Sequence, residues 1–294
     1  MKWLVAVLIC LSTACHAAAP AQVITWMLYD WPPIYIIPTW APPRTVNELG
    51  NGIGDHVLTA LIQELPQYEH RFQRANLTRI FSEMQQGNPV CYATALRTPE
   101  RERFAYFSPV QAMPPIHVVL REDTARKLAG TGGSIALAQL QSAGLRGLYE
   151  LKRSYGKVLD GFIQQQQGKI QAQQSEGVRQ LLLMVESGQS DYAFEYPFVV
   201  EYLRRQSAFR SGVSMLAIND NNQALLMSNV ACTRSPWGRK VIADIDGAIR
   251  RGALKPLLRQ ATSGWLAPEI QQRYQTRFDA FYDARVRAPD ISPP

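Results

Sequence analysis

Past residue 21 the chain has no apolar run of membrane-spanning length, so nothing there reads as a transmembrane helix. It has no GxSxG, HExxH or P-loop pattern, and its remaining histidines, His56, His70 and His117, lie far apart in sequence. The motif-based hydrolase, zinc-protease and nucleotide-hydrolysing readings are therefore removed. Cysteine is scarce, four in 294 residues, with neither a CxxC pair nor a Cys/His cluster. Thioredoxin chemistry and structural zinc are not expected, and no cofactor is. There is no internal repeat and no long basic block. The net charge of +7 is spread as single residues and short pairs such as Arg204-Arg205 and Arg250-Arg251. That distribution suits solubility and mild steering of anions, and no nucleic-acid partner is needed to explain it.

What is present begins with an export signature. Lys2 precedes a short apolar run from Trp3 to Ala14, followed by the small residues Ala17-Ala18-Ala19-Pro20-Ala21, the layout of a cleaved secretory signal peptide over residues 1–21. Cleavage is placed after Ala21, with a cut after Ala17 nearly as compatible. Cys15 has Ser12 three residues before it, where a lipoprotein signal would carry an apolar residue. Cleavage leaves 294 − 21 = 273 residues, a net charge of 7 − 1 = +6, and two cysteines, Cys91 and Cys232, bound for an oxidising compartment. Two such thiols most simply form one disulfide, two buried free thiols being the alternative. The length suffices for two lobes.

Val23 to Leu28 is rich in β-branched and aromatic residues and reads as a first strand, stopped at Tyr29-Asp30-Trp31-Pro32-Pro33. A helix opening at Asp55 carries Leu58, Leu61, Ile62 and Leu65, and a second near Leu77 to Gln86 feeds a strand around Val90 to Leu96. Strand–helix–strand units with short links imply a mainly parallel, doubly wound α/β sheet. Met113-Pro114-Pro115 is the candidate hinge before a strand at His117 to Leu120. Further on, a strand near Leu145 to Leu148 precedes Lys152-Arg153-Ser154-Tyr155-Gly156 and a helix. The span Gln164 to Gln174 reads as solvated helix surface and loop, Ser175 as a helix cap, and Asp191 to Pro197 as a short strand and turn. Gln223 to Val230 is expected to return the chain to the first lobe. Ser235-Pro236 then starts a helix with Val241, Ile245 and Ile249 on one face. A last helix with Ile270, Tyr274, Phe278 and Phe281 packs on lobe one, and the tail after Arg287 is expected to be disordered. The resulting division is 22–112 for the first part of lobe one, 113–212 for an inserted lobe two, and 213–294 for the return.

The most informative stretch is residues 89–109, where an apolar segment runs into Thr98-Pro99-Glu100-Arg101 and then Phe107-Ser108-Pro109. A buried strand would deliver a guanidinium to the point where it ends, the geometry of a small-anion site. Arginine suits that task because its planar fork makes two parallel hydrogen bonds to a carboxylate. Arg97, Arg101 and Arg103 as solvated charges remain the bland reading.

This run resembles the Thr-x-x-Arg and Phe-Ser-x-Pro pattern of periplasmic solute-binding proteins of family 3, the polar amino-acid binders. The aromatic-Pro-Pro exit at Trp31 and the block from Gly188 and Asp191 to Glu195 and Pro197 resemble the same family. The resemblance implies a type II periplasmic-binding-protein fold, two doubly wound lobes with a hinge and a central cleft. By the same resemblance, Arg101 would hold a ligand carboxylate, with Thr98 of the motif beside it, and Glu195 would hold an ammonium group; Arg97 is a further candidate contact, a charge that the family pattern does not require. Asp30, Trp31, Tyr35, Tyr155 and Tyr196 would line the cleft, and Ser154 would offer an anion a helix N-terminus. Ser154 as a plain helix cap and Glu195 as a surface carboxylate on a turn are the competing readings. One departure stands out: family members usually carry a hydroxyl residue five before the arginine, and here that residue is Leu96.

The implied function is capture of a small polar, amino-acid-like solute by a periplasmic monomer that delivers it to a membrane transporter permease. A membrane sensor as partner is the alternative. An enzyme is not expected, although some proteins of this fold are dehydratases, and a pair built from Glu195 and Asp30 keeps that reading open.

Overall fold

The computed structural model describes residues 22–37, 41–129, 133–151, 153–166, 168–173, 178–221 and 225–288. The signal-like segment, the Ser175 cap and the tail from residue 289 lie outside the described residues.

The first unit runs β1 (Gln22–Leu28), α1 (Ile53–Gln63), β2 (Tyr68–Arg74), α2 (Leu77–Gln85), β3 (Val90–Ala95), α3 (Pro99–Glu102) and β4 (Ala105–Met113). The second runs β5 (His117–Arg121), α4 (Glu122–Leu128), β6 (Ser134–Ile135), α5 (Leu137–Ser142), β7 (Gly147–Glu150), α6 (Lys157–Gln165), β8 (Ile170–Gln173), α7 (Val178–Glu186), β9 (Tyr192–Glu195), α8 (Pro197–Arg205) and β10 (Val213–Ile218). The chain then returns through β11 (Leu226–Thr233), α9 (Pro236–Arg250), α10 (Lys255–Ser263) and α11 (Pro268–Arg287).

Two sheets result, ordered β2-β1-β3-β11-β4 and β6-β10-β5-β9-β7-β8. In the first, β1 lies parallel to both β2 and β3, and β11 runs antiparallel between β3 and β4. In the second, β7 lies parallel to both β8 and β9. The chain crosses between sheets twice, once through Pro114-Pro115 and once after Ile218. β10 pairs antiparallel with β5, Val213 opposite Arg121, so residues 213–218 belong to the second sheet and the boundary expected at 212 lies inside that lobe. The glutamine-rich span also differs from expectation, since Ile170–Gln173 forms edge strand β8.

β2 is mostly polar, Tyr-Glu-His-Arg-Phe-Gln-Arg, and forms because an edge strand needs only one covered face. Trp26 Nε1 donates to His70 Nδ1 at 3.0 Å across that pair. Cys91 of β3 faces Cys232 of β11 in register, and the two form the disulfide, both fully buried. α9 begins as its sequence predicts, with Ser235 Oγ accepting from the Gly238 amide at 3.1 Å and Pro236 in the first turn.

α11 buries Ile270, Tyr274, Phe278 and Tyr282, a strict four-residue spacing, with Phe281 only partly covered. It contacts more than lobe one. Arg285 binds Asp246 of α9 at 2.5 Å and the Pro109 carbonyl at 2.9 Å, while Arg273 reaches the Gly133 carbonyl at 3.2 Å in the second unit.

Candidate functional site

In open α/β sheets ligands bind beyond the carboxyl ends of parallel strands, where the strand order reverses. β1, flanked by β2 and β3, makes such a point in lobe one, and β7, flanked by β8 and β9, makes one in lobe two. Most of the expected site residues follow one of these strand ends.

In lobe one the turn after β1 is tied to the start of α1. Its Pro32-Pro33 peptide is cis, and Trp31 and Tyr35 pair across it. The Pro33 and Ile34 carbonyls accept the first amides of α1, from Ile53 at 2.8 Å and Gly54 at 2.6 Å, so the turn satisfies a helix end that would otherwise be unpaired. Asp55 completes the cap by accepting from the Gly52 and Ile36 amides, and burial raises its pKa against those bonds. Trp31 is left half-buried at the strand exit. Tyr35 is fully buried, its ring so close to Gly54 that an added Cβ there would meet it at 2.6 Å. It is a core residue beneath the site and cannot cover a ligand as expected. Asp30 is held by Arg74 at 2.5 Å.

The residues after β3 fulfil different tasks from one another. Arg97 is exposed and pairs with Glu102 on the surface. Thr98 caps α3, its Oγ1 accepting from the Arg101 amide at 3.3 Å. Arg101 lies with its guanidinium carbon 3.9 Å from the centre of the Phe81 ring, and Nη1 donates to the Leu96 carbonyl at 2.8 Å. Phe81 is itself buttressed edge-on by Tyr92 and Phe104. Burial lowers the pKa of Arg101, with Tyr92 and Glu100 acting the other way. Among the described residues its Nε–Nη2 edge has no partner, and that edge is one of the two that can grip a carboxylate through parallel hydrogen bonds. The position expected to hold a hydroxyl residue, Leu96, contributes its carbonyl to the arginine and is 39% exposed.

Lobe two is arranged otherwise. Extending the β7–β9 register, Gly147 opposite Tyr192, by three residues brings Glu150 level with Glu195 at the same end of two neighbouring strands. Arg153 lies between them. Its Nη1 and Nη2 donate to Glu195 Oε2 and Oε1 at 2.7 and 2.8 Å, and Nη1 is 3.6 Å from Glu150. Its guanidinium carbon is 4.7 Å from the Tyr155 ring centre and 5.8 Å from that of Tyr196. Burial alone would lower the arginine's pKa, but the charge and hydrogen bonds of Glu195 raise it. Glu195 is fully buried and Oε1 also accepts from the Tyr196 amide, so both oxygens are in use. The ammonium-binding place expected of Glu195 is thus filled by the protein's own arginine.

The anion site expected at Ser154 is likewise filled from within. Asp160 of α6 accepts from Ser154 Oγ at 2.6 Å and from the Tyr155 amide at 2.7 Å, placing a carboxylate at that helix start. Tyr155 is buried, its hydroxyl accepting from the Glu150 amide at 2.8 Å. Sequence reasoning passed over Arg153, Glu150 and Phe81. The signal for Arg153 was its place in Lys152-Arg153-Ser154, directly after a parallel strand. Asp30 and Glu195, the acid/base pair of the enzyme reading, are each bound by an arginine and make no contact with one another.

A groove of about 450 Å3 lies elsewhere, between α1, α10 and the end of α8, lined by His56, Gln63, Arg205 and Trp265. None of the expected site residues lines it. Among the described residues no cluster of His, Cys, Asp and Glu is placed to hold a metal ion, and no helix is long and apolar enough to cross a membrane.

Two α/β lobes, two crossings between them and a switch point in each define the type II periplasmic-binding-protein fold. No family model and no curated protein sequence matches the chain. Among solved structures it is similar to the probable amino-acid ABC transporter extracellular-binding protein ytmK of Bacillus subtilis, at 16% identity and a TM-score of 0.65, covering 84% of this chain and 98% of that one. It is similar also to an ancestral cationic amino-acid solute-binding protein, at 15% identity and a TM-score of 0.60, covering 84% and 96%. A histidine kinase sensor domain with similarity to periplasmic binding proteins matches at 13% identity and a TM-score of 0.56, covering 84% and 96%. At these identities the likeness establishes the fold.

Proposed function

We propose that the chain is an extracytoplasmic solute-binding protein that captures a small polar solute between its lobes and presents it to a membrane transporter. The observation that carries this reading is Arg101, stacked on Phe81 after a parallel strand, with the Nε–Nη2 edge of its guanidinium unpartnered among the described residues and able to take a carboxylate. Trp31, half-buried at the neighbouring strand exit, supplies an apolar wall. The amino-acid ABC transporter and solute-binding proteins that share the fold support the same class. The export signature of residues 1–21 supports a place outside the cytoplasm. A sensor reading, in which a membrane partner detects the closed form, is favoured by the likeness to a histidine kinase sensor domain.

Closure around a solute follows if the ligand contacts both lobes, because it then selects the form in which both sets of contacts are made. Small-angle X-ray scattering tests it: a saturating carboxylate solute is expected to reduce the radius of gyration, and an unchanged radius at saturation would contradict closure.

A further inference from the structure

We infer that Arg153 is a tethered occupant of a cation site in lobe two, so that the solute taken by the native protein presents no ammonium or guanidinium group there. The inference rests on reading the space between the lobes as the solute site. Remove the Arg153 side chain and what remains is a box for a small organic cation. Glu195 offers two buried oxygens spaced for a guanidinium, Glu150 adds a second carboxylate, and Tyr155 and Tyr196 present ring faces. Carboxylates neutralise the cation and aromatic faces stabilise it further, the combination by which organic cations are recognised.

Arg153 fills that box from a loop directly after β7 and is itself largely buried, its side chain 18% exposed. A free ligand cation must displace a guanidinium whose covalent attachment makes its effective concentration high, and a tethered competitor suppresses binding without any change in the box itself. Arg153 therefore sets specificity: it excludes cationic headgroups from lobe two and leaves Arg101 of lobe one as the charged group that meets the solute.

The test is complementation of the missing side chain. Unfolding temperatures are measured for the disulfide-intact wild type, Arg153→Ala, and the double variant Arg153→Ala with Glu195→Gln, each with and without millimolar methylguanidinium, far below denaturing concentrations. Arg153→Ala is expected to melt lower than wild type and to gain several degrees, saturably, with methylguanidinium, while wild type and the double variant do not respond. A folded Arg153→Ala that ignores methylguanidinium, or an equal gain in wild type or the double variant, would overturn the inference. If Arg153→Ala does not fold alone, refolding with methylguanidinium should recover soluble, folded protein, and no recovery overturns the inference equally. None of these outcomes depends on wild type binding a solute, so failure of the proposed function would appear separately.

Discussion

His117 and Tyr274 face one another where the two lobes join, His117 Nε2 lying 3.5 Å from the Tyr274 hydroxyl with the ring centres 5.8 Å apart. His117 begins β5, the first strand of lobe two, and Tyr274 lies on α11, which packs along lobe one. A carbonyl can only accept, so the 2.9 Å contact of Nδ1 with the Pro115 carbonyl places the proton of the neutral ring on Nδ1 and leaves Nε2 to accept from the tyrosine.

That contact has a pH consequence. Burial lowers the His117 pKa to about 4, with Arg273 adding to the effect and the Pro115 carbonyl opposing it. The unfolded chain takes up this proton near pH 6.5 and the folded chain does not, so the contribution is complete above about pH 6.5 and is lost as pH falls toward 4. The loss amounts to about 3 kcal/mol at about 1.4 kcal/mol per pKa unit. Denaturant titrations between pH 7 and 4 should therefore fall more steeply for wild type than for His117→Gln, and parallel curves would show that His117 does not titrate on unfolding.

The disulfide joins β3, which leads to Arg101, to the return strand β11, its cysteines 141 positions apart in sequence. Closing so long a loop stabilises by roughly 4–5 kcal/mol in the chain-entropy model, and about 2–4 is typical in practice. Replacing both cysteines by alanine should lower stability by about 2–4 kcal/mol in urea unfolding. A native, unreduced protein whose two thiols are freely alkylated would contradict the bond.

Arg285 and Asp246 are both almost fully buried, and Arg285 also donates to Ser108 and the Pro109 carbonyl, so one side chain fastens α11 to β4 and α9. Arg285→Met takes one of two arginines from a buried carboxylate that keeps Ser108 and Arg250, and is expected to cost less than the about 3–5 kcal/mol of a buried carboxylate left with no counter-ion. The double change Arg285→Met with Asp246→Leu should recover part of that loss, since it removes the desolvation cost of both charges while Arg250 loses Asp246. A double variant no more stable than the single one would show that shape, not charge, fixes the helix.

The elements legible in the sequence are those whose local chemistry and burial agree. β1 and β3 are apolar and carry β-branched or aromatic residues, and α9 has its cap, its proline and its four-residue spacing. β2 was illegible because its glutamate, histidine and arginines are tolerated only at an edge. β10 was missed, and the lobe boundary misplaced with it, because a short buried strand has no signal that tells one sheet from another. At the site, the strand exits at Trp31 and Arg101 were readable, since position after a parallel strand follows from chain order. The inward turn of Tyr35 and the pairing of Arg153 with Glu195 were not, because both depend on contacts made only once distant segments meet, 42 residues apart in the second case.

The most direct measurement is the unfolding temperature of the oxidised chain, wild type beside Arg101→Ala, against amino acids, polyamines, small carboxylates and short peptides. A ligand at about a hundred times its Kd adds roughly 2.7 kcal/mol of stability, enough to see as a clear shift. The expected result is a carboxylate-bearing solute that raises the wild-type temperature and leaves Arg101→Ala unmoved. No response across the panel, or an equal response in both proteins, would contradict solute capture through Arg101.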